Sequence, residues 1–163
     1  MMTRTAVLHV GDVMTPKPVT IGPDRTVAEL VEVFLRHDFN ALPVVGGDGV
    51  LLGLVTKLDL LRLLRPGDTL QIPDWSSISE TPVDQIMRHG VISVEMEDTA
   101  AVAADLMVAT GLRSLPVVQR GPGAPMLCGM LSRGDLLKGL RLETASARKD
   151  RAERTEDSRT VGQ

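Results

Sequence analysis

Apolar positions recur along this chain in two rhythms, one helical and one extended, and their alternation lays out the elements. Val27, Leu30, Val31, Phe34 and Leu35 fall at i, i+3, i+4, i+7 and i+8, a single helical stripe. Thr26 and Glu29 stand at its head with capping-box spacing, so hydroxyl and carboxylate can each satisfy a backbone N–H that the first turn leaves open. This helix is predicted to stop near Asp38. Ala41 to Val45 then reads as a strand, Gly46-Gly47-Asp48-Gly49 as a tight hairpin turn, and Val50 to Val55 as the partner strand. The last of these is an apolar run, which implies burial on both faces. A second helix is predicted from Thr56 to about Arg65-Pro66-Gly67. Ahead of all this, Gly11 to Pro16 reads as a helical turn stopped by proline. Pro18-Val19-Thr20-Ile21 reads as a short strand, with its proline where a missing N–H is tolerable.

After a connector from Asp68 to Glu80, with a turn at Pro73-Asp74-Trp75, the same order returns. Thr81-Pro82-Val83-Asp84 opens it as a helical turn, threonine as cap and proline at the first helical position. Met14 corresponds to Met87, an offset of 87 − 14 = 73 residues, and at that offset Val19-Thr20-Ile21 meets Ile92-Ser93-Val94 and Thr26 meets Thr99. Leu42-Pro43-Val44-Val45 meets an identical Leu115-Pro116-Val117-Val118. A longer second hairpin loop, Gln119 to Pro125, moves the offset to 129 − 53 = 76, which holds for Gly53/Gly129, Asp59/Asp135, Leu61/Leu137 and Leu64/Leu140. The first helix of this copy, Ala100 to Ala109, is alanine-rich, open to close approach by a neighbour, and ends at Gly111. The organisation is an extension at 1–9, a first β-α-β-β-α copy at 10–66, a connector at 67–80, a second copy at 81–142 and a charged tail at 143–163, which composition predicts to be disordered.

Composition narrows the chemistry. With 43% hydrophobic but 2% aromatic residues, the core is aliphatic, and a net charge of -3 gives no electrostatic footprint for nucleic acid. Cys128 is the single cysteine, so neither an intrachain disulfide nor a cysteine-held zinc can form. It lies in an apolar strand, where an inert buried thiol is expected. No run of apolar residues reaches the roughly twenty that span a membrane, and the first ten residues lack the core of a secretory signal, so a cytoplasmic location is expected. His9, His37 and His89 lie in unrelated segments without a metal-type partner, and no nucleophile stands beside a base. No catalytic residue, metal site or covalent cofactor is expected.

One stretch retains chemical interest. Gly53-Leu54-Val55-Thr56-Lys57-Leu58-Asp59 is a strand that turns directly into a helix, and Gly129-Met130-Leu131-Ser132-Arg133-Gly134-Asp135 repeats the design. A helix start offers free N–H groups and partial positive charge to an anionic ligand. The same Thr56/Asp59 and Ser132/Asp135 pairs have the spacing of a capping box and can simply begin two helices. The residues alone leave both readings open.

The ordered pair of Met…Thr/Ser…Leu-Pro-Val-Val…Gly-x-x-Thr/Ser-x-x-Asp motifs, from about Val10 to Leu142, resembles a tandem of CBS domains, the module named after cystathionine β-synthase and often called a Bateman module. The resemblance implies an α/β (α+β) fold of two β-α-β-β-α repeats packed by pseudo-two-fold symmetry through their sheets. It also implies a regulatory, non-enzymatic protein binding AMP, ADP, ATP or S-adenosylmethionine in two clefts. On this implication Asp59 and Asp135 accept hydrogen bonds from ribose hydroxyls, with Thr56 and Ser132 at ribose or phosphate oxygens and Leu58, Arg133 and Gly134 beside them. Phe39, Asn40 and Ala41, and likewise Leu112, Arg113 and Ser114, line the base or phosphate region. Thr15, Val19 and Thr20 form the opposite wall of the first cleft, and Arg88, Ile92 and Ser93 that of the second. Arg88, Arg113 and Arg133 then favour a phosphorylated ligand in the Asp135 cleft. The resemblance further implies a homodimer, for which the Val27/Leu30/Val31/Phe34 stripe and the Ala100–Ala109 helix are suitable faces, and an effector protein that the chain does not encode. Two other roles are compatible with the pattern: a dimerisation module with vestigial clefts, and a nucleic-acid-associated regulator, against which the acidic balance argues.

Overall fold

The computed structural model describes residues 7–65, 74–142 and 145. In chain order it contains α1 (Val10–Val13), β1 (Thr15–Pro16), α2 (Val27–Arg36), β2 (Ala41–Val45), β3 (Leu51–Thr56) and α3 (Lys57–Leu63). These are followed by α4 (Trp75–Ile78), a 3-10 turn at Val83–Gln85, α5 (Ala100–Thr110), β4 (Ser114–Gln119), β5 (Met126–Ser132) and α6, residues 133–142. Pro73, the residues 66–72 that precede it and nearly all of the charged tail lie outside the described residues.

Local chemistry starts these elements where the sequence places it. Thr26 caps α2 as expected, its Oγ accepting from the Glu29 N–H at 3.3 Å while Glu29 Oε2 accepts from the Thr26 N–H at 2.9 Å. The stripe of α2 is buried through Val27, Leu30 and Phe34, at 1%, 0% and 5% exposure. Leu35 breaks the prediction at 77% exposed, and Val33 packs against the core instead. The helix ends at Arg36. β2 and β3 form the predicted hairpin, with Gly49 at φ +83° supplying the left-handed step of its turn. Burial on both faces of β3 fails at Leu52, which is 38% exposed. α5 ends at Gly111, φ +73°, whose N–H reaches the Met107 carbonyl.

Three local expectations are corrected. Pro18 to Ile21 does not form a strand: only Ile21 pairs, in a single parallel bridge to Val44, and Val94 repeats it on Val117. Thr15 and Pro16, expected at the end of a helical turn, form strand β1 after α1 has closed at Val13. Pro82 rather than Thr81 occupies the cap of the turn that follows, and the turn is 3-10 rather than α.

The tertiary plan is an exchange between the two copies. β1 belongs to the first copy by sequence, yet it pairs antiparallel with β5 of the second, Thr15 opposite Met130 and Pro16 opposite Gly129. Reciprocally Arg88 bridges to Leu54 on β3, with N–H···O bonds of 2.8 and 3.0 Å. The segments just before them cross in the same way. Val10 donates to the Asp98 carbonyl at 2.8 Å, and Val83 to the Arg25 carbonyl at 2.8 Å. Val10 is therefore buried with Val94, Met107, Leu115 and Leu131, while Val83 completes the cluster of Ile21, Leu30, Leu42 and Val55. Each fully buried leucine among these contributes roughly 2 kcal/mol of apolar transfer. The two hairpins also meet edge to edge, Leu51 donating to the Pro125 carbonyl and Leu127 to that of Gly49. Close approach explains the glycines in the motif: a Cβ on Gly53 would stand 2.7 Å from the Arg88 carbonyl oxygen, and one on Gly129 would stand 3.1 Å from that of Thr15. Among the described residues no helix is long and apolar enough to cross a membrane.

Candidate functional site

The exchange of lead segments decides what faces each motif aspartate. At the start of α6, the Ser132 Oγ accepts from the Asp135 N–H at 3.1 Å, and Asp135 Oδ2 accepts from the Ser132 N–H and hydroxyl, both at 2.8 Å. The capping box therefore forms. It uses one carboxylate oxygen, and among the described residues no cation pairs with Asp135. In front of this group lies a cleft of about 620 Å³, within the range typical of small-molecule sites. Its second-copy wall includes Arg113, Ser114, Ser132, Arg133, Gly134 and Asp135; its first-copy wall includes Thr15, Lys17, Val19, Phe39, Asn40 and Ala41. The Phe39 ring is held by stacking on His37, centroids 5.0 Å apart, and by an edge contact to Phe34 at 6.1 Å. It gives the cleft an aromatic surface where the second copy has Leu112.

The repeat of this arrangement at the start of α3 is filled from within. Asp59 is 5% exposed. Its Oδ2 accepts from the Thr56 N–H at 2.9 Å and hydroxyl at 2.6 Å, and its Oδ1 from Arg62 at 2.7 Å and Arg88 Nε at 3.2 Å. Both oxygens are thus committed. Burial pushes this carboxyl up, but the hydrogen bonds from Thr56 and the Arg88 guanidinium outweigh it and hold the group below the usual aspartate value. At the corresponding positions Asp135 faces Thr15 rather than an arginine, and Lys138 makes no ion pair with it.

Two expected neighbourhoods are therefore corrected. Arg88 does not face Asp135 but closes over Asp59, because its segment pairs with β3. Thr15 and Val19 stand across from Asp135 rather than from Asp59, because β1 pairs with β5. Arg133 lines the cleft, yet its guanidinium donates to the Leu112 and Gly111 carbonyls just past α5, at 3.1 and 2.8 Å. Arg113 lines the cleft and pairs with no carboxylate among the described residues. Thr56, Leu58, Asp59 and Arg88 gather at the other motif, and Thr20, Ile92, Ser93 and Leu112 lie outside the 620 Å³ cleft. Lys17, Pro18, Asp38, Pro43 and Met130 line it without having been foreseen. The signal for Lys17 was present in the aligned copies, where a lysine stands opposite Gly90. Cys128 is part-buried; burial, followed by the nearby Glu97 charge, raises its thiol above the ordinary value. No group of metal-ligating side chains forms among the described residues.

Two β-α-β-β-α copies that trade lead segments and leave a polar cleft at one helix start define a tandem-repeat module with an inter-copy site. The CBS domain model matches residues 10–66 and 83–142, and the chain belongs to that family. It is similar to the CBS domain-containing protein YhcV of Bacillus subtilis, 30% identical over 128 residues, which are 78% of this chain and 81% of that protein. Homoserine O-acetyltransferase of Methanocorpusculum labreanum is 33% identical over 111 residues, 68% of this chain but only 20% of the enzyme's length. Among solved structures, CBSX2 in complex with AMP superposes with a TM-score of 0.71 at 28% identity, covering 83% of this chain and 97% of that one. The CBS domain pair of protein MJ0100, in complex with 5′-methylthioadenosine and S-adenosyl-L-methionine, shares the fold at a TM-score of 0.65 and 20% identity, over 81% of this chain and 94% of that one.

Proposed function

We propose that this chain is a regulatory module that holds one adenosine-containing ligand in the Asp135 cleft and has no catalytic activity of its own. The observation that carries the reading is the inequality of the two motif aspartates: Asp59 has both oxygens engaged by protein donors, whereas Asp135 keeps one oxygen toward a cleft of about 620 Å³. A carboxylate oxygen with no protein donor suits a vicinal diol such as a ribose, and the Phe39 ring offers a face to a base. The likeness to CBSX2, which binds AMP, supports the same ligand class. Ligand binding shifts the relative position of the two copies, and a partner protein reads the shift. A thermal-shift screen of adenosine, AMP, ATP and S-adenosylmethionine tests this. A ligand at a hundredfold excess over its Kd stabilises by about 2.7 kcal/mol, which raises Tm by roughly 5–10 °C in a chain of this size. No shift with any of the four would remove the reading.

The alternative of a purely structural module draws support from the Asp59 copy, whose site is closed by its own arginines. Assembly fits both readings. The α2 stripe proposed for a dimer is consumed by the core, but Leu61 on α3, Leu64 at its C-cap and their repeat mates Leu137 and Leu140 on α6 are 59%, 44%, 67% and 57% exposed. This duplicated apolar row suits a second copy of the chain related by a two-fold axis.

A further inference from the structure

Lys17 is the described non-glycine residue with a positive φ, +46°. A side chain is disfavoured there by contact between its Cβ and the backbone. The repeat makes the comparison internal. At the 73-residue offset Lys17 meets Gly90, which adopts φ +63°. The turn thus demands the left-handed conformation in both copies, and the second copy meets the demand with the residue that suits it. The first copy keeps a lysine in strain. Prolines on both sides, Pro16 and Pro18, fix the backbone from which that lysine projects, whereas His89 and Val91 flank the glycine. Strain retained at a cleft, where an unstrained alternative exists in the same molecule, points to a use for the side chain.

The cleft shows what that use can be. Lys17, Arg113 and Arg133 are the cations in its lining. Arg133 is committed to the Gly111 and Leu112 carbonyls. Lys17 and Arg113 make no ion pair among the described residues; Arg113 shares the second-copy wall with Asp135, whereas Lys17 sits on the opposite, first-copy wall. A ligand whose hydroxyls engage Asp135 presents its other end to a mobile ammonium, and an ammonium on a flexible stem suits a phosphate dianion. We propose that Lys17 is the phosphate-reading residue of this cleft, which makes the site selective for a nucleoside phosphate over the bare nucleoside. The assignment rests on the adenosine-ligand reading above.

The test uses the full chain with Lys17→Gly and Lys17→Arg, adenosine and AMP as probes, calorimetry for affinity, and the ligand-free melting temperature as the control for folding. Lys17→Gly installs the residue that the other copy uses, so it is expected to melt no lower than wild type. Its AMP affinity should fall on the order of tenfold, the loss of about one charge-assisted hydrogen bond, with adenosine affinity unchanged. Lys17→Arg should retain most of the preference for AMP. Lys17→Gly binding AMP as wild type does, or losing adenosine and AMP equally, would overturn the assignment. A wild type that binds adenosine and AMP alike overturns the lysine's role and leaves the ligand reading standing; a wild type that binds neither overturns both.

Discussion

Asp59 and Asp135 occupy the same place in two copies of one motif, so replacing each by alanine should separate a structural carboxylate from a binding one. Asp59→Ala removes the reciprocal cap of α3 and the acceptor of two arginines. Losing a cap costs about 1 kcal/mol. The ion-pair part is discounted, because Arg62 and Arg88 are 50% and 46% exposed and can hydrate once freed; about 1 kcal/mol covers both. Together these come to roughly 2 kcal/mol. Asp135→Ala loses only the cap, about 1 kcal/mol. Urea unfolding followed by far-ultraviolet circular dichroism, without ligand at pH 7, measures both. The pH profile gives a second signature. The Asp59 carboxyl is held below its ordinary 3.8 in the folded state, so the unfolded chain binds the extra proton as pH falls. Its contribution is therefore complete above about pH 4 and is lost as pH drops through the folded value. The gap between wild type and Asp59→Ala should narrow in that window. Equal losses for the two variants, or a gap that is constant down to pH 2.5, would refute the ion-pair account.

Other consequences follow from the exchanged segments. Gly53→Ala drives a Cβ to 2.7 Å from the Arg88 backbone oxygen, and should cost about 2–3 kcal/mol while leaving ligand affinity at Asp135 intact. Gly129→Ala presses on β1 through Met14 and Thr15; it should cost about 1–2 kcal/mol and also weaken ligand binding, since β1 carries one wall of the cleft. Both are read by denaturation together with calorimetry. Light scattering of wild type at micromolar concentration should give the mass of a dimer, and Leu61→Glu with Leu137→Glu should give that of one 17.5 kDa chain.

Much of the fold was legible because capping, turn and stripe signals are local. Thr26/Glu29, the Gly46–Gly49 turn and the Gly111 stop each act within a few residues, and all three form. The repeat was equally legible, since Leu42-Pro43-Val44-Val45 and its copy need only be read. The exchange was not. Val10 and Val83 are isolated apolar residues in lead segments, and nothing local says in which of two similar cores each is buried. With a glycine at the same place in two similarly apolar strands, β3 and β5, sequence cannot choose between pairing within a copy and pairing across copies. Arg88 was accordingly placed at the wrong aspartate, and Thr15 with it. Leu35 shows a smaller limit of the same kind: periodicity gives the buried face of α2 but not its edges, and Val33 rather than Leu35 packs on the core. The motif position of Arg133 points to a phosphate, whereas the Gly111 and Leu112 carbonyls just past α5 take its guanidinium.

Calorimetric titration of AMP into the full chain is expected to find one site per chain, lost or weakened at least tenfold in Asp135→Ala and preserved in Asp59→Ala. Two equivalent sites in wild type, or a titration that Asp135→Ala leaves unchanged, would contradict a single ligand held at Asp135.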